Sequence, residues 1–145
     1  MHEYEVAIPF MVPTVHLTQV AIWARDLERL RAFYEGAFGA RAGAKYRNER
    51  KQFESYFLAL PSGGRLEIML RADIQNGPGG PHEAEVFGYA HFGVSVGSPA
   101  AVDALTARLA AEGVRVLDGP RLTGDGYYES QIMDPEGNRI LILAS

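Results

Sequence analysis

The pattern of apolar and polar positions near residue 20 changes from strand-like to helical, and the same change occurs again later in the chain. The stretch HLTQVAIW, over 16–23, is apolar and β-branched, which predicts a strand. Asp26 follows as a candidate helix N-cap. After it, Leu27, Leu30 and Tyr34 recur at helical spacing until Gly39, the expected stop. The pattern predicts one strand followed by one amphipathic helix.

Three more strand-like runs complete a first unit. They are ARAGAKYR (40–47), FESYFLAL (53–60) and RLEIML (65–70), with PSGG as the turn before the last. A stretch rich in glycine and proline, over 71–88, has no periodicity and reads as a linker. The first unit therefore has the order βαβββ.

The second unit repeats that order. YAHFGVSV (89–96) predicts a strand, Ser98 a helix cap with Pro99 at the first helical position, and Gly113 the end of that helix. VRVLDG, YYESQIM and RILILA then predict three strands, with PEGN as the last turn. We predict a single α+β domain over 1–145 in which two paired βαβββ modules form a concave mixed sheet cleft. Module one covers about 16–71, the linker about 72–88 and module two about 89–145.

The turns before the two final strands match in sequence at one constant offset. The matched pairs are Pro61 and Pro135, Gly63 and Gly137, and Arg65 and Arg139, each 74 positions apart. At the same offset Glu67 falls opposite Leu141. The matches support an internal duplication, and the exchange of a carboxylate for a leucine marks the point where the two copies differ.

Composition excludes several classes of function. The net charge of −4 offers no basic patch of the kind that nucleic acid requires. The absence of cysteine excludes disulfides, thiolate metal sites and cysteine nucleophiles. No apolar run approaches the roughly 20 residues that span a bilayer, and the N-terminus has acidic residues where a signal peptide is basic. We expect a cytoplasmic protein with no membrane or nucleic-acid partner.

Period-two alternation assigns polar residues to the cleft side of three predicted strands. Gln19 and Trp23 share one face of the first strand, and His91 and Glu67 occupy the corresponding faces of two others. A polar residue on the cleft side of an apolar strand is suited to ligand binding. Because a buried charge requires a partner, we expect Glu67 to be paired.

Four stretches resemble one known superfamily: QVAIWARDLERLRAFYEGAFGA, GRLEIML, GYAHFGVSV and GDGYYESQIMDPEGNRI. They are similar to the vicinal oxygen chelate superfamily, also called the glyoxalase, bleomycin-resistance and dioxygenase superfamily, from about Leu17 to the C-terminus. The resemblance implies the glyoxalase/bleomycin resistance/dihydroxybiphenyl dioxygenase fold. It also implies a homodimer, with the cleft built across the two units or the two subunits.

The resemblance implies up to four metal ligands, one on the first and one on the last strand of each unit. Carried over by position, these are Gln19, Glu67, His91 and Leu141. The first three suit a divalent metal such as Zn, Ni, Co, Mn or Fe, whereas leucine offers no donor. The two-histidine, one-carboxylate triad of the iron dioxygenases is therefore not present at the matching positions.

In glyoxalase I-like relatives a carboxylate at the Leu141 position moves the proton. Here Glu67 would move it, Glu129 would move it from the neighbouring strand, or no such chemistry occurs. The leading prediction is a glyoxalase I-like lyase or isomerase, similar to lactoylglutathione lyase, that acts on a small-molecule substrate.

The alternative is a non-catalytic binding protein of the bleomycin-resistance kind, which holds an antibiotic-type compound. Trp23, Tyr127 and Tyr128 would line its ligand site, with Tyr127 and Tyr128 following a flexible Gly-Asp-Gly turn. Glu67 and His91 would then be a hydrogen-bonded pair in a metal-free pocket. A metal bound by Gln19, Glu67 and His91 would favour the enzyme.

Overall fold

A computed structural model describes residues 14–75, 85 and 87–145 of the chain. The elements of the first unit are β1 (Gln19–Trp23), α1 (Leu27–Phe38), β2 (Arg41–Ala42), β3 (Tyr46–Asn48), β4 (Phe53–Ala59) and β5 (Arg65–Arg71). Those of the second are β6 (Phe92–Ser95), α2 (Pro99–Ala111), β7 (Val116–Leu122), β8 (Tyr128–Met133) and β9 (Arg139–Leu143). The α+β fold class predicted from the sequence is confirmed. Most of the predicted linker, over 76–84 and 86, lies outside the described residues.

Local capping interactions define where the helices begin and end. The Asp26 side chain accepts a hydrogen bond of 3.0 Å from the Arg29 amide, and Gly39 ends α1 with a φ of 67°. The Ser98 hydroxyl accepts from the Ala101 amide at 3.1 Å, with Pro99 as the first residue of α2. In the part of the chain that is described, neither helix has the length and apolar character needed to cross a bilayer.

The strands form two sheets of the same topology. The first has the order β1-β5-β4-β2, with β3 also paired to β4, and the second has the order β6-β9-β8-β7. In each sheet the first strand of the unit runs parallel to the last strand. The matched turns also share a backbone bond, from the Leu60 amide to the Gly64 carbonyl at 3.1 Å and from Asp134 to Asn138 at 2.9 Å. The duplication seen in the sequence is therefore a duplication of structure.

Two strands differ from their predicted bounds. The single strand predicted over 40–47 is divided into β2 and β3, because Ala42 pairs with Leu58 while Tyr46 pairs with Ser55. The first chain thus has one residue more than its partner between the two pairs, as in a β-bulge. The strand predicted to end at Gly119 continues to Leu122, with register shifts where it pairs with β8.

One continuous core joins the two units. Each helix packs on one face of its own sheet, and the buried side chains of both units form a single cluster. Its fully buried members include Leu30, Leu58 and Ile68 from the first unit and Ile132 and Ile140 from the second. The face of each sheet that lies away from its helix is left for other contacts.

A buried hydrogen bond connects the first helix to the last turn of the chain. The Tyr34 hydroxyl donates to Asp134 Oδ2 at 2.7 Å, and Asp134 is only 4% exposed. Asp134 also accepts bonds of 2.9 Å from the Glu136 amide, the Asn138 amide and Asn138 Nδ2. Burial, together with the Asp134 charge and hydrogen bond, raises the pKa of Tyr34 well above its usual value. Tyr34 is therefore a neutral donor to a buried carboxylate.

Both ends of α1 are held by the second unit. Glu136 Oε1 accepts from the amides of Arg25 and Asp26, at 2.9 and 2.8 Å, where α1 begins. Arg108 donates to the carbonyls of Gly36 and Ala37 where α1 ends, at distances down to 3.1 Å. A carboxylate at the start and a cation at the end of a helix both match the helix dipole.

Replacing Tyr34 by phenylalanine should destabilise the protein by about 1–3 kcal/mol, because Asp134 remains buried and loses one of its donors. The free energy of unfolding from urea denaturation measures this loss. Tyr56→Phe is the matched control, because the Tyr56 hydroxyl donates to Glu28 at the same 2.7 Å but near the surface. The control should change stability by no more than about 0.5 kcal/mol. Equal losses in the two variants would contradict the role given to the buried bond.

Candidate functional site

The first sheet carries polar and aromatic side chains on the face away from α1. This surface, here called the open face, is formed by Gln19, Trp23, Phe57, Arg65 and Glu67. Trp23 and Phe57 are 39% and 42% exposed, whereas residues of the opposite face, such as Ile22 and Ile68, are buried. Large exposed aromatic side chains on a polar-rimmed face are typical of ligand or subunit contact surfaces.

Parallel pairing of β1 and β5 brings Gln19 and Glu67 together. Gln19 lies opposite Arg65 and Ala21 lies opposite Glu67 in the register of the two strands. Gln19 and Glu67 therefore lie on adjacent strands of one face, one step apart along the strand direction. The small Ala21 side chain leaves space beside the Glu67 carboxylate.

Two arginines on the same face of β5 stack on aromatic rings. Arg65 Nε donates to Gln19 Oε1 at 2.8 Å, and its guanidinium carbon lies 4.4 Å from the Phe57 ring centroid. Arg71 lies 5.0 Å from the Trp23 ring centroid and forms an ion pair with Asp73. The sequence marked Arg65 only as a repeat position, so its place in the site is a structural finding.

Glu67 is half-buried, and within 14–75, 85 and 87–145 no residue donates a hydrogen bond to it or forms an ion pair with it. The expectation that Glu67 is paired inside the chain is therefore wrong for the part that is described. The physical reason is its partial exposure, since a carboxylate that water can reach needs no protein partner. The open face thus presents a carboxylate with free acceptor capacity.

In the second sheet, His91 and Leu141 occupy the places that correspond to Gln19 and Glu67. His91 is exposed and immediately precedes β6, and continuing the β6–β9 register places it opposite Arg139, as Gln19 is opposite Arg65. Leu141 lies opposite Gly93, as Glu67 lies opposite Ala21.

Gly93 is closely covered by leucine. A Cβ atom added there would lie 2.8 Å from Leu143 Cδ1 and 3.7 Å from Leu141 Cβ. The centre of the second open face is therefore apolar.

The tyrosine and glutamate residues at the start of β8 point in different directions. Ser130 and Ile132 face α2, as shown by the 2.7 Å contact between the hydroxyls of Ser130 and Thr106. Tyr128 lies on that same side and donates to Asp103 of α2, which raises the pKa of the Tyr128 hydroxyl. Glu129 lies on the opposite side and is half-buried. Tyr128 thus belongs to the packing between sheet and helix.

Tyr127 lies in the turn before β8 and is 54% exposed. It is therefore accessible to a ligand, but its ring contributes to no aromatic pair among the contacts of the described residues. Of the aromatic side chains predicted to line a ligand site, Trp23 is the one placed on the open face beside Gln19.

The predicted ligands are distributed over the two sheets. Gln19 and Glu67 belong to the first sheet, and His91 and Glu129 to the second, and the sheets share no strand pair. Among the residues whose structure is described, no three His, Cys, Asp or Glu side chains come close enough to hold a metal ion. One chain therefore presents two separated sets of candidate donors.

Solved structures with the same fold extend over nearly the whole chain. Glyoxalase I from Leishmania major superposes with a TM-score of 0.69 and 20% identity, covering 90% of this chain and 86% of that one. The fosfomycin resistance protein FosX from Listeria monocytogenes, in complex with Mn(II) and 1S,2S-dihydroxypropylphosphonic acid, gives 0.69 and 19%, covering 93% and 94%. A domain from Frankia sp. EAN1pec gives 0.74 and 16%, covering 89% and 96%. At these identities the likeness shows the fold alone.

Sequence comparison gives the family. The uncharacterized protein PA2024 of Pseudomonas aeruginosa is 34% identical over 134 residues, which are 90% of this chain and 87% of that protein. The family model of the Glyoxalase/Bleomycin resistance protein/Dioxygenase superfamily matches residues 16–142. With the duplicated βαβββ topology, these matches show that the chain belongs to the glyoxalase/bleomycin resistance protein/dioxygenase superfamily.

Proposed function

We propose that this protein is a cytoplasmic, glyoxalase I-like lyase or isomerase that binds a divalent metal through Gln19, Glu67 and His91. The observation that carries the proposal is the Glu67 carboxylate, which has free acceptor capacity beside the Gln19 amide on an open sheet face. His91, exposed at the matching position of the second unit, supplies an imidazole.

The donor set fits a metal ion. A carboxylate oxygen, an amide oxygen and an imidazole nitrogen are ligands for Zn, Ni, Co, Mn or Fe. The bond from Arg65 to Gln19 Oε1 uses one lone pair of that oxygen and leaves the other for coordination. A metal bound there would polarise two adjacent oxygens of a substrate and so make a neighbouring C–H bond more acidic.

A carboxylate must then move the proton, because Leu141 cannot. Glu67 or Glu129 fills this role in the proposal. Glu129 lies on β8 opposite Leu143, and so on the strand next to the one that carries Leu141. A base must reach within hydrogen-bond distance of the proton that it takes, directly or through one water.

We also propose that the site is completed in a homodimer, with unit one of one subunit facing unit two of its partner. The half-site with Gln19 and Glu67 and the half-site with His91 lie in sheets that share no strand pair. Pairing two chains about a twofold axis would bring each half-site to a complementary one and form two equal clefts. It would also cover exposed Trp23 and Phe57.

A Glu67→Ala variant should lose metal binding, because the one anionic donor of the proposed set is removed. Metal content after purification without chelators, and thermal shift with Zn, Ni, Co, Mn and Fe, measure the loss. Glu129→Ala is the matched control and should keep the metal while losing turnover of the methylglyoxal–glutathione adduct by about 100-fold or more, if Glu129 is the base. Absence of any metal effect in the wild type, or equal metal binding by both variants, would sink the metal proposal.

A Leu141→Glu variant should bind metal at least about tenfold more tightly, since it adds a fourth, anionic ligand at the position matching Glu67. Calorimetric titration with Zn gives the affinity. Leu143→Glu places the same charge two residues further along the same strand face and should leave the affinity within about twofold. An equal gain from both variants would indicate a general charge effect and not a fourth ligand.

Mixing Glu67→Ala subunits with His91→Ala subunits should restore metal sites if each cleft is built from two chains. A mixed dimer would then contain one intact Glu67 and His91 pair, so that unfolding and refolding an equal mixture restores about a quarter of the wild-type sites. Neither variant alone should bind. No restoration in a mixture shown to contain mixed dimers would place the site within one chain.

The competing function is a non-catalytic small-molecule binding protein. It is favoured by Leu141 and by the apolar centre of the second open face, which could hold an apolar ligand against Trp23. In that case the wild type would bind no metal, and Glu67→Ala would leave both stability and metal content unchanged.

A further inference from the structure

Arg65 and Arg71 are two guanidinium groups on one strand face with different charge environments. Both stack on an aromatic ring, Arg65 on Phe57 and Arg71 on Trp23. The charge of Arg71 is balanced by an ion pair with Asp73. Across residues 14–75, 85 and 87–145, no carboxylate forms an ion pair with Arg65. The open face thus carries one guanidinium whose charge is not balanced by a neighbour in the described structure.

The hydrogen-bonding groups of Arg65 are also largely free. Its Nε donates to Gln19, and its terminal nitrogens donate to no residue in the described part of the chain. Those two terminal groups supply donors in a fixed planar arrangement that matches an oxyanion. Gln19 on one side and the Phe57 ring beneath hold the guanidinium in place, which reduces the entropy lost on binding.

The matched position in the second unit does not offer the same group. Arg139 lies 74 positions after Arg65, is bonded to Glu85, and its side chain is only 9% exposed. Of the two duplicated arginines, Arg65 is the one that faces the open surface.

We propose that Arg65 binds the anionic group of the ligand, a carboxylate or phosphonate, and that Phe57 contacts the apolar part of the same molecule. The substrate class is then an organic oxyanion with a flat or apolar body. This inference rests on the proposed function in one respect, which is that the open face is the ligand surface. It does not require the metal.

The spacing of Arg65 and Glu67 adds a size requirement. The two residues are separated by one position on the same face of β5, which corresponds to about 7 Å along the strand. The anionic group held by Arg65 therefore lies about 7 Å from the atoms that Glu67 reaches. A small inorganic anion would meet repulsion from Glu67 without reaching any apolar contact, whereas a molecule with its charge at one end avoids that repulsion.

The test uses metal-free wild-type protein at low ionic strength, with benzoate, phenylphosphonate and the uncharged analogue benzamide as probes. Dissociation constants come from two-dimensional amide NMR titrations. Both anions should bind, and benzamide should bind at least about tenfold more weakly, because it lacks the charge that pairs with Arg65. Arg65→Gln should weaken binding of the anions about tenfold, and Arg65→Lys should keep part of it, since the charge remains while the planar fork is lost.

Arg71→Gln is the matched control, because it removes one positive charge from the same face of the same strand. It should change the affinity for the anions by no more than about twofold, since Arg71 is already neutralised by Asp73. Equal weakening by Arg65→Gln and Arg71→Gln, or no discrimination between benzoate and benzamide, would overturn the assignment. Phosphonate binding without benzoate binding, lost in Arg65→Gln, would support it and select phosphonates as the ligand class.

The result is separable from that of the metal experiments. Arg65-dependent binding of the probes to a wild type that takes up no metal would support this inference while the metal proposal fails. Metal uptake that depends on Glu67, together with probe binding that is unchanged in Arg65→Gln, would give the reverse.

Discussion

The hydrogen bond from Tyr34 to Asp134 fixes how the two units lie relative to each other, and the directions of both open faces follow from that placement. A buried carboxylate is costly unless its oxygens receive donors, and Asp134 receives them from Tyr34, Glu136 and Asn138. The matching turn of the first unit has Leu60 in that position. The duplication is therefore asymmetric, because only the second turn anchors a helix of the other unit. The Glu136 and Arg108 contacts at the two ends of α1 strengthen the same junction.

The parts of the fold that local chemistry controls could be predicted from the sequence. Asp26, Gly39 and Ser98 have the residue types that begin and end helices, and the structure places each at such an end. The junction could not be predicted in the same way. Helical spacing marks Tyr34 as one more core residue, and Asp134 reads as an ordinary turn residue. Their contact joins positions 100 residues apart, and no periodicity within one element contains that information.

Prediction of the site had a similar limit. Period-two alternation was sufficient to place Gln19 and Glu67 on one face, because the parallel register of β1 and β5 preserves that face across strands. The same alternation separates Tyr128 from Glu129, although adjacency in a short motif suggested a common role. Arg65 went unnoticed because its stacking depends on cross-strand register. Phe57 pairs with Glu67, and so becomes a diagonal neighbour of Arg65 only when β4 and β5 are aligned.

The difference between Glu67 and Leu141 divides the chemistry between the two units. At Leu141 the neighbouring Gly93 is covered by leucine side chains, so a carboxylate there would lose hydration without gaining a described donor. Ala21 beside Glu67 leaves the corresponding position of the first unit partly open to water. The first unit therefore carries the charged groups, a carboxylate and a guanidinium one position apart on a strand face, whereas the second contributes His91 and an apolar surface. A ligand that satisfies both must be polar along one edge and apolar along the other. A molecule of that kind would be oriented in a cleft between unlike halves, whereas two identical halves could accept it in either direction.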